Sequence, residues 1–157
     1  MTTSVDDPQL AALVDEVGAI VAAYDDEHEI TRLVAERLEH ALASGLDLPP
    51  SVTTPGADRY VMYPLHVDPG GRFSIASAVW DVGQRTPVHG HETWGVVGIH
   101  SGVEHEVSYS KPRLDGEVPR PDGEHDWTAG QVTVCCTTDD DIHQVSCGCD
   151  VPCIGIH

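Results

Sequence analysis

The chain has 157 residues, 40% of them hydrophobic, which suits one compact unit with its own core rather than a disordered segment. Lys and Arg number 8 against 26 Asp and Glu, and the net charge of −18 excludes a broad phosphate-binding face. Neither nucleic acid nor a membrane surface is therefore expected as a partner, and no run approaches the ~20 apolar residues of a membrane-spanning helix.

The opening MTTSVDDPQL is polar and acidic, with no basic stretch ahead of an apolar one, so the expected location is the cytoplasm. Residues 8 to about 44 predict two helices. Pro8 suits a first helical turn, and Leu10, Leu13, Val14, Val17 and Ile20-Val21 recur at helical spacing. Asp25-Asp26 supplies a cap for the second helix, whose apolar face is Ile30, Leu33-Val34, Leu38 and Ala41-Leu42; Gly45 is the expected stop. LDLPPSVTTPGAD reads as a connector. This divides the chain into a helical arm, 1–50, and a barrel, 51–157, within a single domain.

From Arg59 the texture changes to short apolar runs between turns: RYVMYPLHV, RFSIASAVW, GVVGIHS, VEHEVSYS, QVTVCC, DIHQVS and PCIGIH. Regularly spaced short strands predict a mostly β sandwich or barrel. KPRLDGEVPRPDGEHD reads as a long polar loop. The five cysteines, Cys135, Cys136, Cys147, Cys149 and Cys153, all lie in the last quarter, a pattern expected of reduced thiols rather than of a secreted disulfide framework.

His89 and His91 stand two residues apart, so on an extended strand they share a face and can bind one metal, with Gly90 turned away. Glycines frame the pair: Gly83, then His89 and His91, then Gly95 and Gly102. This spacing resembles the first motif of the cupin superfamily, with Gly95 where a glutamate is usual. GQVTVCCTTDDDIHQVSC resembles the second motif, with His143 as its histidine, Cys136 and Cys147 at places where proline and asparagine are common, and a loop longer by two residues.

The set GRFSIASAVW, TPVHGHETWGVVG, DIHQVS and IGIH, over residues 59–157 and preceded by a two-helix arm, is similar to the thiol dioxygenase branch of the cupins, which includes cysteine dioxygenase and 3-mercaptopropionate dioxygenase. The resemblance implies a double-stranded β-helix (jelly-roll barrel) with an N-terminal α-helical arm. It implies Fe(II), held by His89, His91 and His143, with O2 as co-substrate and a small thiol such as L-cysteine or a mercaptocarboxylate oxidised to a sulfinate. Imidazole ligands equally suit nickel or zinc. Three neutral ligands leave the charge of a dication in place, which favours a thiolate.

The resemblance also implies a role for His157 as an outer-sphere catalytic residue. It matches the middle of a Ser-x-His-x-Tyr network in which Gly155 replaces the serine, and Gly95 replaces a cysteine that cross-links in relatives. Relatives place a carboxylate-binding Arg or Gln near Met62 and Tyr63; neither residue type stands there, so Arg59, Met62, Tyr63 and Trp94 become the candidates for substrate binding, with Arg72 expected to face solvent. Two further readings remain open: the same thiol converted by oxidative cleavage, decarboxylation or rearrangement, and a metal-binding cupin without turnover. A monomer or small homo-oligomer is expected.

Overall fold

The computed structural model describes residues 5–157. Two helices come first, α1 (Pro8–Ala23) and α2 (Glu27–Ala43). Each begins where an aspartate satisfies the free amides of the first turn. The Asp7 carboxylate accepts from the Gln9 and Leu10 amides, both at 2.9 Å, and Asp26 accepts from Glu29 at 2.9 Å. α2 ends at Gly45, which takes φ +83°; the Gly45 amide donates to the Leu42 carbonyl and the Leu46 amide to that of Ala41, a Schellman closure.

Eight strands follow: β1 (Val61–Val67), β2 (Ser74–Trp80), β3 (Gly95–Ser101), β4 (Val103–Tyr109), β5 (Pro121–Thr128), β6 (Val132–Cys135), β7 (Ile142–Cys147) and β8 (Cys153–Ile156). They form two antiparallel sheets, one of order β1-β2-β8-β3-β6 and one of order β5-β4-β7. Consecutive strands repeatedly lie in different sheets, the connectivity of a jelly roll.

The helices cover the outer face of the larger sheet. Leu10, Leu13, Val17 and Ile20 of α1 and Ile30, Val34 and Leu38 of α2 join Ile75, Val79, Val96, Ile154 and Ile156 in one core cluster. The packing of α2 on β3 is close: a Cβ on Gly98 would stand 2.7 Å from Leu38 Cδ2 and 2.9 Å from Leu42 Cδ1. Between the sheets a second, smaller cluster holds Ala78, Trp80, Val145 and Cys153.

Two sequence expectations need correction. The second half of the polar stretch 111–126 is not loop. Pro121–Thr128 is β5, paired along its length with β4 although nearly every residue in it is exposed. Its hydrogen-bond ladder, not an apolar alternation, makes it a strand. Conversely, His89 and His91 do not lie on a regular strand. The segment is irregular and tied to β7 through two isolated bridges, Arg85 to Ser146 and His89 to His143. Gly90 between them is exposed, as expected, and a Cβ there would touch Ile142 at 3.8 Å.

Among the described residues no helix is long and apolar enough to cross a membrane.

Candidate metal centre

The His89–His143 bridge sets the geometry of the site. The amide of each residue donates to the carbonyl of the other, at 2.9 and 2.8 Å. Their rings lie 4.7 Å apart, and the His91 ring lies 5.2 Å from His89 and 4.9 Å from His143. One ligand nitrogen from each of the three falls within 4.8 Å of the other two. Two residues on one irregular segment and one on β7 thus converge at the mouth of the space between the sheets.

Hydrogen bonding fixes which nitrogen is free. His89 Nδ1 is 2.9 Å from the Pro87 carbonyl oxygen, His91 Nδ1 is 2.5 Å from Asp141 Oδ2, and His143 Nδ1 is 2.8 Å from Glu106 Oε1. A carbonyl and two carboxylates only accept, so each Nδ1 carries the proton and donates. The Nε2 lone pair of every imidazole is then available to a cation, the tautomer in which metal-ligating histidines are held by outer partners. Burial also pushes the His89 imidazole below its ordinary value, with smaller contributions from His143 and His91 in the same direction. A deprotonated imidazole is the form a metal binds. On this donor set the three residues fit a divalent first-row ion.

Sequence reasoning missed the outer partners. Glu106, on β4 directly beside β7, also accepts from Trp127 Nε1 at 2.6 Å, and its carboxyl is held below the ordinary range chiefly by the His143 bond. Asp141 belongs to the acidic turn before β7. These carboxylates modify the expectation that three neutral ligands leave a dication's charge in place: two negative groups stand one hydrogen bond away.

A further acid lies deeper. Glu104 is 3% exposed, and burial, with Glu106 nearby, pushes its carboxyl up to about 7. Glu104 Oε2 and His157 Nε2 are both buried without a hydrogen-bond partner. Both border the space where Gly155 lacks a side chain: a Cβ there would lie 3.1 Å from His157 Nε2 and 3.4 Å from Glu104 Oε2. The His157 ring rests against Trp80, at 5.7 Å between centroids, and burial drives its pKa down to about 4. His157 therefore sits neutral in the barrel.

A cavity of about 510 Å³ opens beside His91, the one candidate ligand that lines it; His157, Trp94 and Met62 line it as well. The other two candidates do not. Arg59 is exposed in the bend before β1, outside the strand that carries Met62 and Tyr63. Tyr63 faces the connector instead, where its hydroxyl donates to the Thr54 carbonyl at 2.7 Å, and it packs against the helical core. Arg72 is exposed, as expected, with its guanidinium held by Asp68 at 2.8 and 2.9 Å, and it also borders the cavity.

The cysteines are all free. Cys135 fills the space left by the missing side chain of Gly95, its Sγ 3.1 Å from where a Cβ would stand, and burial, with Asp141 beside it, pushes its thiol up to about 12. Cys136 is buried against α2, with Sγ 3.6 Å from Thr31 Oγ1.

No protein-family model matches this chain. Among solved structures, a cupin superfamily protein from Desulfitobacterium hafniense superposes with a TM-score of 0.50 at 14% identity, over 69% of this chain and 86% of that one. The fold is a cupin double-stranded β-helix. A conserved protein with a double-stranded β-helix domain from Klebsiella pneumoniae gives 0.49 at 12% identity, over 68% of this chain and 80% of the other. A sugar phosphate isomerase of the cupin superfamily from Silicibacter pomeroyi gives 0.47 at 19% identity, over 63% of this chain, which spans 57% of that protein. At 14% identity the likeness to the Desulfitobacterium protein speaks for the barrel fold alone.

Proposed function

We propose that this cupin is a mononuclear, iron(II)-dependent oxygenase that uses O2 to oxidise the sulfur of a small thiol to a sulfinate. The observation that carries the reading is the set of three imidazoles with ligand nitrogens within 4.8 Å of one another, whose Nδ1 protons are all engaged, which leaves the three Nε2 atoms free for an ion. The resemblance of the surrounding motifs to the thiol dioxygenases supplies the reaction type. An iron(II) ion at His89, His91 and His143 would supply open coordination positions and the redox chemistry that unites a thiolate with dioxygen. The overall change balances as RS⁻ + O2 → RSO2⁻: both oxygen atoms end on sulfur, which alone is oxidised.

The chain's own residues do the rest. Pro87, Asp141 and Glu106 hold the three rings in register, so that no ligand reorients when substrate arrives. Trp94 and Met62 border the approach and keep bulk water from the sulfur. His157, neutral and buried, offers its ring to the same space as a hydrogen-bonding group rather than a base, since burial disfavours its protonated form, and the proton a thiol releases on binding passes to solvent. The thiol pKa of about 8.5 falls when sulfur meets a cation, so binding and proton release are coupled.

Oxygen consumption by the iron(II)-loaded protein with a panel of thiols tests the reading. One O2 consumed per thiol, with a product heavier by two oxygen atoms, is the expected result. Uptake of O2 with cleaved or decarboxylated product would move the assignment to another oxygenase outcome, and no uptake with any thiol would end it.

A further inference from the structure

The cavity is larger and less polar than a zwitterionic thiol such as cysteine needs. Its volume of about 510 Å³ lies in the range of about 300–1,000 Å³ that encloses drug-sized ligands. Its polar end is His91, His157 and Cys135. From there the lining passes the first residues of β2 (Ser74–Ala76) and of β3 (Gly95–Val97) and reaches Leu13, Val17, Val34 and Leu38 on the two helices. It thus runs from the barrel mouth to the underside of the helical arm, past strand ends whose side chains there are small or apolar.

The charges point the same way. Arg72 is the one Lys or Arg among the lining residues, and its guanidinium bonds Asp68 twice, while Asp68 also accepts from the Arg72 amide at 3.1 Å. Asp68 is itself buried, and Arg72 holds its carboxyl well below the usual range. Arg72 is therefore already neutralised. Along the cavity beyond the histidines a substrate carboxylate would have no free cation to meet, and burying an unpaired charge is costly. An alkyl chain meets only what it prefers.

We infer that the substrate of this cupin is a thiol carrying an extended apolar substituent with no charged group along it, with the thiol at the metal centre beside His91 and the tail directed beneath α1 and α2. The inference rests on the thiol reading of the same site and adds the class of thiol.

The test separates tail from head. The metal-free protein is titrated with ethanethiol, butanethiol, hexanethiol, octanethiol and L-cysteine, and binding is followed by NMR on the methyl groups of Leu13, Val17, Val34 and Leu38. The dissociation constant is expected to fall about fourfold for each methylene buried, until the cavity is full. The four helical residues should shift only with the longer chains, and cysteine should bind more weakly than hexanethiol. Val34→Trp narrows the far end; it should abolish the gain between butanethiol and octanethiol while ethanethiol binds as before. The ligand series in the unaltered protein stands even where that variant fails to fold. A flat response to chain length, or shifts confined to His91 and His157, overturns the inference.

Repeating the series with the iron(II)-loaded protein under anaerobic conditions, beside alcohols of equal length, distinguishes the two layers. Thiols that perturb the metal without any length dependence sink the tail and leave the thiol reading intact. Equal length dependence for alcohols and thiols, with no change at the metal, sinks the thiol assignment of both.

Discussion

His143 Nδ1 donates to Glu106 Oε1 across the β4–β7 pair at 2.8 Å, and the same carboxylate accepts from Trp127 Nε1 at 2.6 Å. One acid thereby orients a candidate ligand and is itself held in place by an indole on β5. The strand that looks like a loop in the sequence thus has a part in the site.

Glu106→Ala should keep the barrel and weaken metal binding by about 10–100-fold, the usual cost of removing an outer partner from a ligating histidine. Competition against a chelator of known affinity measures it. An unchanged affinity would mean that Glu106 does not orient His143.

His91→Ala should remove bound metal while circular dichroism stays native, because the backbone bridge that joins the two segments is made by His89 and His143, not by His91. Metal analysis after dialysis reads the result. Stoichiometric metal in the variant would contradict the three-histidine site.

Glu104 predicts how stability depends on pH. In the metal-free protein its carboxyl is raised from 4.5 to about 7, so between those values the folded state binds more protons than the unfolded one. Stability from this group is therefore greatest below about pH 4.5 and declines as pH rises toward 7, by about 3 kcal/mol in all. Glu104→Gln should match the parent near pH 4 and exceed it at pH 8. Urea denaturation at the two pH values checks this, and an equal difference at both would show that the carboxyl does not titrate as described.

Gly98→Ala should cost about 1–3 kcal/mol, since the added methyl overlaps Leu38 and Leu42 of α2. Combining it with Leu38→Ala should cost less than the sum of the two changes, because the same volume is vacated. Additive losses in thermal or urea melts would place α2 farther from β3 than it is here.

The pattern of what the sequence revealed follows from how each feature is encoded. The helices rest on periodicity and caps written locally, so Leu10 through Ile20 and Asp26 are legible without a structure. The histidine trio is legible from spacing and resemblance, although the reason His89 and His91 face one ion is a pair of bridges to β7 rather than strand alternation. Asp141 and Glu106 were missed because a partner across a sheet leaves no local spacing; the one available signal was two acids, Glu104 and Glu106, on alternate positions of VEHEVSY, both on the face directed between the sheets. β5 was missed because its exposed residues carry no apolar pattern. Arg59 could join the candidates only if the strand reached it, and β1 starts at Val61.

Anaerobic absorption spectroscopy of the cobalt(II)-loaded protein, titrated in turn with hexanethiol, L-cysteine and L-serine, tests the central claim most directly: that the three-histidine centre binds a thiolate through sulfur. Soft sulfur at a cation with imidazole ligands should give a charge-transfer band and displace solvent from the metal. The account predicts that band with at least one thiol, its loss in His91→Ala, and none with L-serine. A metal spectrum that no thiol changes, while a sulfur-free compound does change it, would contradict the claim.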